Sequence, residues 1–153
     1  MPMEAEATQA PSHSDLISAL VNTYRELNVH VRQIPESTLT TDKGQGSVRD
    51  IVKRMRYDEM RFAQALKQRV TGVVIGDPDD DERLAPDAVD EDTTAEIISQ
   101  FGTARETTLS LLGNLGDAEW SEKTDDGASI LQHTQELVQS DHGQLERIKT
   151  LLT

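Results

Sequence analysis

The chain has 153 residues, 35% of them hydrophobic, only five aromatic and none cysteine, with a formal net charge of −13. A chain of this length suits one domain that buries about 70% of its unfolded surface, with an aliphatic core that favours helices over a β-sandwich. The charge excludes a nucleic-acid binder, which needs clustered Lys and Arg, and the lack of cysteine excludes disulfides, thiolate ligands and thiol nucleophiles.

No apolar run approaches the 18 or so residues of a membrane span. The opening MPMEAEATQAPSHS lacks the basic start and apolar centre of a signal peptide. The expected location is therefore the cytoplasm, with no membrane and no nucleic acid as partner.

Residues 1–12 are small and polar and are expected to form a flexible arm ahead of a helical domain over 13–153. From Ser14, Leu16, Leu20, Tyr24, Leu27, Val31 and Ile34 recur at three- and four-residue steps, predicting a first helix that Pro35 ends. Residues 38–46 read as loop. Ser47 with Asp50 makes a capping-box start to a second helix, whose apolar stripe is Val48, Ile51, Val52, Met55, Phe62, Leu66 and Val70.

The acidic stretch GDPDDDERLAPDAVDEDT, residues 76–93, excludes a helix of any length and reads as a solvated connection crossing from one end of the fold to the other. It lacks the glycine and terminal glutamate of an EF-hand calcium loop. Thr93 and Glu96 open a third helix carrying Ile97, Ile98, Phe101, Leu109, Leu112 and Leu115. After the loop DAEWSEKTDD, where Trp120 is expected to pack at the end of the fold, a fourth helix carries Ile130, Thr134, Leu137, Val138, Leu145, Ile148 and Leu152. Four amphipathic segments without a strand candidate predict an all-α four-helix bundle. The long acidic connection between helices two and three lets those two run parallel, in an up-down-down-up order.

Three stretches in this order, GSVRDIVKRMRYDE (46–59), LGNLGDAEWSEKTDDGAS (112–129) and LVQSDHGQLERI (137–148), resemble the DinB/YfiT-like superfamily of helical bundles, which includes metal-dependent enzymes. The resemblance spans about residues 14–152. It implies a metal site, zinc or nickel, held by one histidine on the second helix and a pair four apart on the last; such a pair shares one helix face. In this chain those positions fall at Arg54, Ser140 and Gln144. Arginine has no acceptor for a cation, and Ser and Gln are poor ligands for zinc or nickel. The family's metal is therefore expected to be absent, and no other cofactor is predicted.

His142, two residues past Ser140, lies about 200° around the helix and is expected to face away from such a site. His30, between Leu27 and Ile34, and His133, seven residues before Ser140, could meet in the core but have no ligand spacing. A histidine bonded to a neighbour is the expected reading for both.

Helix two is the basic part of an acidic protein: residues 47–70 carry seven Lys and Arg against three Asp and Glu. Arg54 and Arg61 share a face, with Asp58 between them. Arg54 can present its guanidinium to a small anionic molecule, since its planar fork suits carboxylate or phosphate. Alternatively Asp50 or Asp58, each four residues away, or Asp141 across the bundle neutralises it. Asp58 and Glu59 read as a solvated helix face rather than an acid/base pair, because adjacent residues point about 100° apart. No catalytic residue is assigned, since no triad, P-loop, dinucleotide or zinc-protease signature is present. The expected function is a DinB-like binding or interaction module, with a metal-dependent enzyme like the family's thiol S-transferases and a purely structural dimer as alternatives. The resemblance also implies a homodimer.

Overall fold

The computed structural model describes residues 12–72, 89–123 and 126–153. The expected arm lies outside these residues apart from Ser12, and so does most of the acidic connection. Among the described residues 76% are helical and none belongs to a strand. One isolated antiparallel bridge joins Lys123 and Ser129.

Among the described residues six helices follow in chain order: α1 His13–His30, α2 Glu36–Leu39, α3 Val48–Thr71, α4 Thr94–Gly113, α5 Asp117–Ser121 and α6 Ile130–Leu152. The four long ones begin alike. Ser12, Ser47, Thr93 and Ser129 each accept from the amide three residues on, while Asp15, Asp50, Glu96 and Gln132 bond back to the cap amide. Such a reciprocal cap satisfies two of the backbone donors left over at a helix start. Gly72 at φ 73° closes α3 in the left-handed conformation that favours glycine.

Two expectations need correction. The first helix stops at His30 rather than Ile34, because the chain turns over residues 31–34 ahead of Pro35. The short helix α2 precedes and runs into the segment expected to be loop, and the loop before the last helix contains α5. Each short helix has a job. Glu36 on α2 accepts from the backbone N–H and the hydroxyl of Thr94 and from Arg49, tying the starts of α3 and α4 together. On α5, Trp120 is 2% exposed and packs with Leu16, Leu20, Leu66, Leu112 and Ile130, as expected of an end-of-fold residue.

The long helices pack pairwise, α3 on α4, α1 on α4 and α6, and α3 on α6. Their apolar stripes form two separate clusters. One gathers Leu27, Val31, Val48, Ile51, Val52, Met55, Ile97, Ile98, Phe101 and Ile148; the other gathers Leu16, Leu20, Leu66, Leu112, Trp120 and Ile130. Along the sequence α1 and α6 pass from the second cluster to the first, whereas α3 and α4 pass from the first to the second.

Candidate functional site

Arg54, Ser140 and Gln144, which the resemblance alone places at metal positions, are not buried together. Arg54 is 57% exposed and donates from Nε to Asp58 at 3.2 Å, one turn along the same helix. Ser140 is exposed; Gln144 is half-buried and accepts from Arg147 at 3.2 Å. No hydrogen bond or ion pair among the described residues joins the three. The local neutralisation of Arg54 by Asp58 is therefore what the structure shows, and Asp141 is engaged elsewhere. The rotation of α6 turns Ser140 away from the interior. The inward stripe of α6 is Thr134, Asp141 and Ile148, seven apart and so nearly in register. Within SDHGQL it is Asp141 that turns inward, with Ser140 and His142 exposed on either side.

The histidines are dispersed. His30 is exposed at the end of α1 rather than on its inner stripe. His133 is half-buried and pairs with Asp126 at 3.0 Å and Glu136 at 3.9 Å. His13 stacks on Trp120, with ring centroids 4.4 Å apart. Arg61 lies over the Tyr57 ring at 5.5 Å, and Asp58 pairs with Arg54. Among the described residues no group of three or more His, Cys, Asp or Glu side chains is placed to hold a metal ion.

The interior is organised around a different set, one residue from each long helix. Arg105 of α4 donates from Nη2 to Glu59 of α3 at 2.7 Å. It also donates from Nη1 and Nη2 to the two carboxylate oxygens of Asp141 of α6, at 2.9 and 3.1 Å. Thr23 of α1 donates to the same Asp141 oxygen at 2.7 Å, and Nη1 of Arg105 reaches the Leu20 carbonyl at 2.8 Å. All four residues are buried. The guanidinium also lies over the Phe101 ring, 4.9 Å from its centroid, where the ring quadrupole favours a cation. Burial alone would lower the Arg105 pKa, but the hydrogen bonds and charges of Glu59 and Asp141 more than offset it and hold the group still more firmly protonated.

This polar layer separates the two apolar clusters on every long helix. Thr23 falls between Leu20 and Leu27, Glu59 between Met55 and Leu66, Arg105 between Phe101 and Leu112, and Asp141 between Ile130 and Ile148. The solvated-face reading of Glu59 is thus overturned: its side chain is 1% exposed. A signal was present in the sequence. Position 59 fills the gap in the stripe Met55, Phe62, Leu66; 105 fills the gap between Phe101 and Leu109; 141 fills that between Val138 and Leu145. A charged residue at a stripe position on three helices at once points to mutual pairing, since a lone buried charge costs several kcal/mol or so.

No protein-family model, curated protein or solved structure matches this chain.

A second polar junction holds the returning acidic stretch. Arg56, 2% exposed, donates from Nη2 to Asp90 and from Nη1 to Gln100, both at 2.6 Å. Arg49 donates to the Asp90 carbonyl at 2.7 Å, and Gln100 donates to Asp92 at 2.7 Å. At the described end of the acidic stretch Asp90 and Asp92 are thus pinned to α3 and α4, while Val89, Glu91 and Thr93 are exposed; residues 73–88 lie outside the described set. This accounts for part of the positive charge counted on α3. Burial pushes the Asp90 carboxyl up, but the Asp92 N–H, the Arg56 hydrogen bond and the charges of Arg56 and Arg49 outweigh it, so the group sits below its ordinary value.

Proposed function

We propose that the chain is a DinB-like four-helix bundle in up-down-down-up order that lacks the family's metal-binding histidines and acts as a binding or interaction module for a small anionic ligand. The bundle order is supported by the sense in which the helices pass between the two apolar clusters, α1 and α6 one way and α3 and α4 the other. The observation that carries the functional reading is Arg54. It stands at the family's metal position and is more than half exposed. One i,i+4 partner holds it, a pairing worth about 0.3–0.5 kcal/mol at an exposed site. A carboxylate or phosphate can displace Asp58 at little cost, whereas Arg56 and Arg105 are buried and already hold interior carboxylates. Ser140 and Gln144 are the other two side chains that the resemblance would assign to that ligand. A homodimer remains part of the proposal, supported by apolar surface at Val21 and Val29, 49% and 55% exposed on α1.

Calorimetric titration with small carboxylates and inorganic phosphate tests the reading. Saturable binding by the wild type that Arg54→Ala abolishes without shifting the unfolding midpoint supports it. Absence of binding across that panel overturns it, as does stoichiometric zinc or nickel in protein purified without chelator. Sedimentation reads the oligomeric state in the same samples.

A further inference from the structure

Two buried polar atoms in the four-helix polar layer have no hydrogen-bond partner, Nε of Arg105 and Oε2 of Glu59. One is a donor and the other an acceptor. They belong to side chains already joined through Nη2 and Oε1 at 2.7 Å. Each orphan belongs to the same planar group as one end of that bond, a donor on one side and an acceptor on the other. Leaving both unsatisfied is costly, the more so because both groups carry charge.

Two arrangements satisfy both atoms. In the first, Glu59 turns about Oε1 until Oε2 meets Nε directly and the pair becomes a two-bond fork. In the second, a molecule that accepts from Nε and donates to Oε2 sits between them. The guanidinium cannot move to close the fork, because the Leu20 carbonyl and both Asp141 oxygens fix its plane and Phe101 lies against its face. Closure therefore falls entirely on Glu59, whose side chain is packed at 1% exposure. The chemistry of the bridge is narrow. It must be neutral and both donor and acceptor, since a cation would face the guanidinium and an anion the two carboxylates. With Thr23, Glu59, Arg105 and Asp141 all buried, it must also be no larger than a water.

We propose that the polar layer is a binding site for one internal water molecule, held between Arg105 Nε and Glu59 Oε2 at the level where α1, α3, α4 and α6 meet. The water completes the network, and buried waters in proteins typically satisfy otherwise orphaned polar groups in this way.

A crystal structure of the full chain at a resolution that shows ordered solvent tests the site. A density peak within about 2.7–3.2 Å of both atoms is the expected result. A direct Nε–Oε2 contact in that range, or no peak between the atoms, overturns the proposal. In solution, oxygen-17 relaxation dispersion of the wild type is expected to report a long-lived internal water that is lost in Glu59→Met, which removes Oε2 while conserving length. A dispersion unchanged in a folded Glu59→Met variant overturns the proposal independently. If that variant does not fold, the wild-type crystal structure decides alone.

Discussion

Glu59 and Arg105, 46 residues apart in sequence, form a 2.7 Å ion pair between side chains that are each 1% exposed. Neither residue can be understood from its own helix. Glu59 answers a cation on α4, and that cation is shared with Asp141 on α6, so three helices depend on one guanidinium.

Removing that guanidinium is the most damaging single change. Arg105→Met leaves two buried carboxylates facing each other without a cation and is expected to cost about 3–5 kcal/mol, read by urea unfolding. Combining it with Glu59→Leu and Asp141→Leu is expected to recover most of the loss, because a well-packed apolar replacement of buried ions is often neutral or better. A single-variant loss below about 1 kcal/mol would show that the three groups are not buried together in solution.

Arg54→Ala is the contrasting case. Its pairing with Asp58 is exposed and intrahelical, so the expected loss is at most about 0.5 kcal/mol. A loss of several kcal/mol would place Arg54 in the interior and refute the surface assignment.

Asp90 supplies an acid-sensitive latch. Its folded-state pKa lies below the unfolded value, so its contribution is present above the ordinary aspartate range and disappears as pH falls through the folded value. Asp90→Asn is expected to lower stability at neutral pH and to flatten the acid limb of stability against pH, because the asparagine does not titrate. Parallel wild-type and variant curves down that limb would contradict the latch.

Gly102 tests packing rather than charge. A Cβ built there would lie 2.3 Å from the Tyr24 ring, so the ring must shift. Gly102→Ala is expected to destabilise by about 1–3 kcal/mol despite alanine's better helix propensity. Adding Tyr24→Leu, which removes the ring, is expected to relieve a large part of that loss. A double variant whose losses merely add would show that α1 and α4 do not approach so closely.

The four long helices and two of their starts were legible from the chain alone, because these depend on contacts within about four residues. Ser47 with Asp50 and Thr93 with Glu96 were visible as caps, and apolar spacing marked the stripes that became the two clusters. The end of α1 and the short helices α2 and α5 were missed. Their limits are set by packing, such as Trp120 seating against Leu16 and Ile130, rather than by a periodic run. The polar layer was decided by tertiary structure. Its bonds join residues 36, 46 and 118 positions apart, and periodicity shows which face a charge occupies but not which partner meets it. Arg54, Arg56 and Arg105 are the same residue type, yet one is exposed and two are buried. Helix rotation and the carboxylates of distant segments made that difference, since a guanidinium enters a core only where acceptors are already waiting for it.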